Sequence, residues 1–234
     1  KHYTEVMIDR LGLSEASHVI EVASNDGYLL KNFLAAGIPC LGIEPTASTA
    51  AAAEHLQIPV LREFFSEELG KKLALKGKQA DLIIGNNVYA HVPDINDFTL
   101  GLKAVLKPGG TLTLEFPHLM EMMEHNQFDT VYHEHFSYLS FHTVKCIFEA
   151  AGLRLWDVEQ ISTHGGSLRV FGCHADDTRK TTPLVQALHA KELRRGLKCM
   201  ATYKRFQVQA NRVKDDLLAF LIEQKRAGKK VAAY

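Results

Sequence analysis

The densest group of side chains that could move protons lies between Phe128 and Tyr138, where Tyr132, His133, Glu134 and His135 follow one another. If this segment is extended, His133 and His135 share one face and Tyr132 and Glu134 share the other, because strand side chains alternate. Imidazole titrates near neutral pH, and a flanking carboxylate can orient or charge it. The pattern therefore favours general acid-base chemistry, with a metal pair and a structural network of satisfied polar groups as the alternatives.

A second group of polar residues follows the apolar pair Val19-Ile20 and runs from Glu21 to Gly27. A strand that ends in a small-residue turn and leads into a helix can hold a nucleotide. Only Gly27 remains of the usual glycines, with Ala23 and Asn25 in the other places, and Asn can adopt the left-handed backbone. A polar turn that merely caps the next helix is the alternative. Glu21 would repel phosphate and suits a cationic amino acid, which favours S-adenosylmethionine over NAD.

Further candidate contacts follow the next strands. Glu44-Pro45 ends the strand Cys40 to Ile43, where a carboxylate could bind the hydroxyls of a ribose. Asn86-Asn87 and His91 follow the fourth strand, and Phe64 follows the third. The two asparagines could equally be turn formers, and Asp94 could be a helix cap. Together these residues predict an adenosine site.

The elements that would position these residues alternate between strand and helix. Five parallel strands with short crossovers predict an α/β fold, a doubly wound sheet with flanking helices and a helical C-terminal extension. Ligands of such sheets bind beyond the carboxyl ends of the strands. The predicted elements are the strands Val19–Val22, Cys40–Ile43, Pro59–Leu61, Ala80–Ile84 and Thr111–Phe116, the turn Lys107–Gly110, and the helices Tyr28–Ala36, Thr46–His55, Ser66–Lys76 and Ile95–Leu106.

The remainder of the chain changes character after Pro117. The strands Leu153–Val158 and Ser167–Phe171 would complete the sheet edge, and His164-Gly165-Gly166-Ser167 is either a hairpin turn or a close backbone approach to a phosphate or sugar. Other predicted elements are a core-packed helix with Met120, Met122 and Met123, a helix Thr143–Ala151, a helical stretch Pro183–Ala227, and a strand that begins at Gly228–Tyr234. The predicted division is a core at 1–180 and a helical linker with the start of a further α/β domain at 181–234.

Composition narrows the class of protein. The chain has 234 residues, of which 46% are hydrophobic, and 27 basic residues balance 27 acidic ones. Such a balance gives no net field for nucleic acid or an anionic membrane, so a small-molecule ligand is expected. Four scattered cysteines and the lack of a bilayer-length apolar run or signal-peptide pattern favour a cytoplasmic protein without a thiolate metal site. A monomer or weak homo-oligomer is expected.

Taken together, the motifs resemble the S-adenosylmethionine-dependent C-methyltransferases of nucleotide-linked deoxysugars. The resemblance rests on Glu21–Gly27, Gly42–Pro45, Asn86–Asp94, Tyr132–His135 and Thr163–Arg169, in matching order from about residue 15 onward. It implies methylation of the carbon next to the ketone of a nucleotide-linked 4-keto sugar, with S-adenosylhomocysteine as the second product. It also implies a Rossmann-like class I methyltransferase sheet, an N-terminal zinc module and a C-terminal α/β domain. The zinc module is expected to be absent from this sequence, and only the start of the C-terminal domain is expected in it.

The resemblance assigns His135 as the base that removes the proton next to the ketone. Tyr132, Glu134 and His91 resemble the surrounding groups, with Glu134 orienting an imidazole and Tyr132 or His91 donating to the oxyanion; His133 has no assigned role. Two alternatives remain, a non-catalytic adenosine- or nucleotide-binding regulatory domain and an O- or N-methyltransferase.

Overall fold

The computed structural model describes residues 1–232 and contains a seven-stranded sheet in the order β3-β2-β1-β4-β5-β7-β6. Strands β1 to β5 are parallel, whereas β7 pairs antiparallel with both β5 and β6. The predicted doubly wound sheet is confirmed, and the last two strands complete its edge as expected. Because the order reverses between β1 and β4, the carboxyl ends of these strands border a crevice of the kind that binds ligands.

The strands and helices alternate through most of the chain. The strands are β1 Val19–Val22, β2 Cys40–Ile43, β3 Val60–Leu61, β4 Ala80–Asn86, β5 Leu106–Pro117, β6 Leu153–Ile161 and β7 Ser167–His174. The α-helices are α1 His2–Leu11, α2 Leu30–Ala35, α3 Ala47–His55, α4 Glu67–Leu75, α5 Ile95–Val105, α6 Leu119–Glu124, α7 Phe141–Ala150, α8 Pro183–Arg194 and α9 Met200–Arg226. Short 3-10 turns occupy Tyr89–His91, Phe128–Thr130 and Thr163–Gly165.

Apolar side chains cover both faces of the sheet, which explains why its central strands are almost continuously hydrophobic. On one face, Ile20 and Ile83 belong to a buried cluster with residues of α4, α5 and α7. On the other, Val19 and Leu82 belong to a cluster with Phe33 of α2. The predicted methionine-rich helix is α6, and Met120, Met122 and Met123 are buried.

The structure differs from the sequence-based expectation in four places. Helix α1 was not predicted from the sequence. The predicted turn Lys107–Gly110 lies inside β5, which begins at Leu106 and shifts register against β4 there. Residues 131–136 form turns instead of an extended segment. Residues 229–232 have no regular secondary structure, so the strand predicted at Gly228–Tyr234 is not seen there, and its last two residues lie outside the described part.

The C-terminal helices differ in their contacts. Val185 and Leu188 of α8 are buried in the main core, whereas no residue of α9 is buried. Although α9 is long, none of the helices in residues 1–232 combines the length and apolarity needed to cross a bilayer.

Gly27 allows the loop after β1 to lie against α3. Its φ is +77°, and an added Cβ would lie 2.4 Å from Ile58 Cδ1 and 3.1 Å from Ala53 Cβ. We expect Gly27→Ala to lower the free energy of unfolding by about 2–4 kcal/mol, because backbone strain and overpacking add. The matched control is Gly12→Ala, since Gly12 has a φ of +63° and no atom within 4 Å of the added Cβ. Denaturant unfolding of both variants separates the clash from the strain; equal losses would show that packing contributes nothing.

Candidate active site

A cleft opens at the carboxyl ends of β1, β2 and β4 and consists of two adjoining cavities that share Ala23, Val88 and His91. One cavity of about 450 Å³ is mainly apolar, with Pro45, Phe64, Phe65 and Phe98 among its lining residues. The other, of about 520 Å³, is lined by polar residues that include Asn25, Glu44, Asn87 and Glu134. An apolar compartment beside a polar one suits a ligand with a flat base and hydroxylated or charged parts.

The loop after β1 is strained in a way that brings its backbone to the cleft. Ala23 and Asn25 both have left-handed conformations, with φ of 57° and 52°. These two residues therefore adopt the conformation for which glycine is usual, at a cost of order 1–2 kcal/mol for alanine. Ala23 N donates to Ile43 O over 2.8 Å, which ties the loop to the end of β2.

Glu44 is held by the backbone at the polar end of the cleft. Its Oε2 accepts from Asn25 N at 3.0 Å and its Oε1 accepts from Thr46 N at 2.8 Å. A carboxylate has about four acceptor positions, so two remain for ligand hydroxyls after these two bonds. Glu44 thereby joins the β1 and β2 loops into one binding surface.

Three buried oxygens at the ends of β1 and β4 have no hydrogen-bond partner within residues 1–232, namely Glu21 Oε2, Asn86 Oδ1 and Asn87 Oδ1. Glu21 and Asn86 project from the same face of the sheet, because Glu21 pairs with Ile84, two residues before Asn86. Buried acceptors without donors are costly, so a group with several N–H donors fits this place. Burial, with Asp26 nearby, raises the pKa of Glu21 to about 8.

The raised pKa of Glu21 makes stability depend on pH. Between its ordinary value of 4.5 and about 8, the folded chain keeps a proton that the unfolded chain loses, so stability falls as the pH rises. We expect wild type to lose ~1–3 kcal/mol more than Glu21→Gln between about pH 5 and pH 8. The exposed Glu5 of α1 supplies the control, since Glu5→Gln should retain the wild-type slope. Parallel pH profiles for wild type and Glu21→Gln would refute the assignment.

His91 is positioned by the buried ring of Tyr89, which begins the same 3-10 turn. Tyr89 Oη lies 2.6 Å from Thr99 Oγ1 on α5, and its ring packs against Phe98 and Phe116. Asp94 accepts from the amides of Asn96 and Asp97 and so caps α5, which was the alternative interpretation of this residue. Burial, followed by the nearby ring of His135, lowers the pKa of His91 below its ordinary value.

His135 lies against His91, with ring centroids 4.7 Å apart, and its Nδ1 donates to the Thr130 carbonyl over 2.9 Å. A carbonyl only accepts, so this bond fixes the proton on Nδ1 and leaves the lone pair on Nε2. The hydroxyl of Tyr132 donates to that Nε2 over 3.2 Å. Phe136 N donates to Ala90 O over 2.9 Å and holds the His135 segment against the His91 turn. Nε2 can act as a general base once the Tyr132 hydroxyl turns away from its lone pair.

The structure brings most of the predicted site residues together. Those lining the cleft are Ala23, Asn25, Glu44, Pro45, Phe64, Asn87, His91 and Glu134. Glu21, Gly27 and Asn86 support it from behind. His135 does not line the cleft; it lines a separate small cavity with Ala90 and Tyr138, and its ring contacts His91, which does line the cleft. The sequence predicted that Tyr132 and His135 point to opposite faces of an extended segment. This prediction is wrong, because a turn brings the Tyr132 hydroxyl within hydrogen-bond distance of His135. No group of three or more His, Cys, Asp or Glu side chains placed to hold a metal occurs in residues 1–232.

Comparison with known proteins shows which family this chain belongs to. Residues 5–158 match the family model for a methyltransferase domain, and residues 162–234 match that for a C-methyltransferase C-terminal domain. The chain belongs to the methyltransferase domain family. Its C-terminal match agrees with the S-adenosylmethionine-dependent C-methyltransferase family predicted from the motifs, which is confirmed. The C-methyltransferase NovU of Streptomyces niveus is 34% identical over 98% of this chain. This chain spans only 55% of that relative.

Solved structures with the same fold are distant in sequence. Magnesium protoporphyrin IX methyltransferase from Synechocystis PCC 6803, solved with bound SAH, has a TM-score of 0.57 and 13% identity, over 73% of this chain and 80% of that one. The 1,6-didemethyltoxoflavin-N1-methyltransferase of Burkholderia thailandensis has a TM-score of 0.57 and 14% identity, over 75% of this chain and 78% of that one. These similarities confirm the class I methyltransferase fold.

Two features of this methyltransferase's site were not predicted from the sequence. Thr130 orients His135 through its carbonyl, and no side-chain pattern reveals a carbonyl contact. Glu115 at the end of β5 binds Arg169 at 3.1 Å and accepts from Thr163 Oγ1 at 2.9 Å, which fixes the Thr163–Gly165 turn. That turn joins β6 to β7, as the hairpin interpretation of the His164–Ser167 segment expected.

Proposed function

We propose that this protein transfers a methyl group from S-adenosylmethionine to the carbon next to the ketone of a nucleotide-linked 4-keto-deoxysugar. The observation that carries the proposal is His135, whose Nδ1 is protonated by its bond to Thr130 and whose Nε2 carries a lone pair that accepts from the Tyr132 hydroxyl, with the ring packed against His91 of the cleft. The similarity to a C-methyltransferase over nearly the whole chain supports carbon as the methylated atom. A cytoplasmic location is also inferred, since Cys40, Cys146, Cys173 and Cys199 are all free thiols.

The residues around the cleft fit S-adenosylmethionine. The orphaned oxygens of Glu21, Asn86 and Asn87 are suited to an ammonium group, which supplies three donors. Glu44 would accept from the ribose hydroxyls, while the half of the cleft with Pro45 and Phe64 would hold the adenine. Ala23, Asn25 and Gly27 shape the backbone between them. The cofactor would supply an electrophilic methyl group on a sulfonium, and the protein must make a carbon of the substrate nucleophilic by removing a proton from it.

His135 would remove the proton next to the ketone. Such a proton is weakly acidic, so a base must accept it while a donor stabilises the oxygen of the enolate. Because the pKa of His91 is lowered, this neighbour stays neutral near pH 7 and does not oppose the charge that forms on His135.

Tyr132 would stabilise the enolate in step with that proton transfer. Its hydroxyl donates to His135 Nε2 in this structure. Nε2 has a single lone pair, so the Tyr132 hydroxyl must leave it before Nε2 takes the proton from the carbon. The hydroxyl can then donate to the ketone oxygen as that oxygen becomes the enolate. His91 is a second possible donor to that oxygen, and Glu134 borders the same cavity. Positioning these groups before reaction is the protein's main contribution.

The proposal is tested by incubating the full chain with S-adenosylmethionine and a panel of nucleoside-diphosphate-linked 4-keto sugars. Mass spectrometry should show one sugar that gains the mass of a methylene group, and NMR should place the new methyl on the carbon next to the ketone. A methyl on oxygen or nitrogen would contradict C-methylation. Calorimetric binding of S-adenosylmethionine with no turnover across the panel would instead support a regulatory binding domain.

A further inference from the structure

Helix α8 carries a fully buried carboxylate, Glu192, which is 0% exposed and takes no part in the chemistry proposed above. Its Oε1 accepts from His118 Nε2 at 2.7 Å and from Phe141 N at 2.7 Å. Its Oε2 accepts from His142 N at 2.8 Å. A buried charge is costly unless donors surround it, and here three donors converge on one carboxylate.

These three donors bracket the segment that carries the proposed catalytic residues. His118 directly follows β5, and Phe141 and His142 begin α7, so the segment 119–140 starts and ends at Glu192. Leu119 N donates to Leu139 O over 3.0 Å, which closes the base of the segment. One side chain therefore fixes both ends of the excursion that contains His135.

The Glu192 carboxylate lies at the N-terminus of α7. Phe141 N and His142 N lie in the first turn of α7, where free amides and the helix dipole favour a negative group. His118 Nδ1 has no hydrogen-bond partner within residues 1–232, so Glu192 is the polar group that orients this ring. The segment is thus attached to α8, and α8 lies in the part that matches the C-methyltransferase C-terminal domain.

We propose that Glu192 is a positioning residue that sets the place of His135 by clamping both ends of the segment 119–140. This inference rests on the proposed function, because it assumes that His135 is the base. It assigns the C-terminal part of the chain a role in catalysis: α8 holds the catalytic segment in register with the cofactor cleft.

The test compares Glu192→Gln with Leu188→Ala, which opens a cavity under the same helix but leaves the clamp intact. We expect amide hydrogen exchange in residues 131–137 to become about tenfold faster in Glu192→Gln. With the keto sugar that wild type methylates, kcat should fall ~10–100-fold while KM for S-adenosylmethionine changes less than about twofold. Leu188→Ala should lower the melting temperature but leave that exchange and kcat near wild type.

A second pair of variants applies if Glu192→Gln fails to fold. His118→Gln keeps a donor near the position of Nε2, so its amide exchange in residues 131–137 and its kcat should equal those of wild type. His118→Leu has no donor there, so the exchange should become faster and kcat should fall. Unchanged exchange in Glu192→Gln and His118→Leu, or equal losses in Leu188→Ala, would overturn the inference. The exchange measurement needs no substrate, so it decides the clamp even where no sugar of the panel is methylated; the proposed function fails separately if His135→Asn stays active.

Discussion

His135→Asn should lower the rate of methyl transfer by about 10²–10⁴-fold, the usual contribution of a general base. The amide nitrogen of asparagine can replace Nδ1 and keep the bond to the Thr130 carbonyl, so the segment should retain its conformation. What the variant loses is the atom at Nε2 that accepts the proton. Initial rates at saturating S-adenosylmethionine measure the effect.

The neighbouring His133 provides the matched control, because it is exposed and lies on the same turn. His133→Asn should keep the wild-type rate within about threefold, since exposed substitutions away from contacts are usually mild. Calorimetry should give both variants wild-type affinity for S-adenosylmethionine. A nearly unchanged rate in His135→Asn would show that another group removes the proton.

Glu44→Gln should weaken binding of S-adenosylmethionine by about 10–100-fold, or ~1.4–2.8 kcal/mol. The glutamine amide has one acceptor oxygen, so it cannot accept from both Asn25 N and Thr46 N and still bind two hydroxyls. The β1 and β2 loops would also lose their shared anchor. Isothermal titration calorimetry measures the change directly.

Glu63 lies on the wall of the apolar cavity and pairs with Lys72 at the surface, which makes it the control for charge. Glu63→Gln should change the affinity by less than about twofold, because exposed ion pairs contribute little. Equal losses in the two variants would mean that the cleft attracts its ligand by charge alone and that Glu44 has no specific contact.

The central sheet could be predicted from the sequence because its strands are buried on both faces. Val19–Val22 and Cys40–Ile43 have the bounds that the apolar runs predicted, and all of their residues are buried. Helix α1 was missed because it buries only Thr4 and Met7. The Lys107–Gly110 sequence predicted a turn, but β5 runs through it, because Leu106 pairs with Ala80 and Thr111 pairs with Leu82. The residues between Leu106 and Thr111 shift the register, as in a β-bulge.

The site residues that could be predicted from the sequence are those that directly follow a strand of the parallel sheet. Ala23, Glu44 and Asn87 reach one cleft because parallel strands end at the same edge of the sheet. The arrangement around His135 was not predictable, because contacts with Thr130 and Ala90 impose a turn on residues that could also alternate as a strand. Glu192 was missed for a related reason, since a glutamate in a charged helix looks solvent-exposed until the helix is docked.

The most direct test of base-assisted C-methylation uses a 4-keto sugar deuterated at the carbon next to the ketone. Each methyl group transferred should be accompanied by the loss of one deuterium to solvent, and both processes should slow together by about 10²–10⁴-fold in His135→Asn. A methylated product that retains all of its deuterium would contradict the account, because the methyl group would then reside on oxygen or nitrogen and no carbon acid would have been deprotonated.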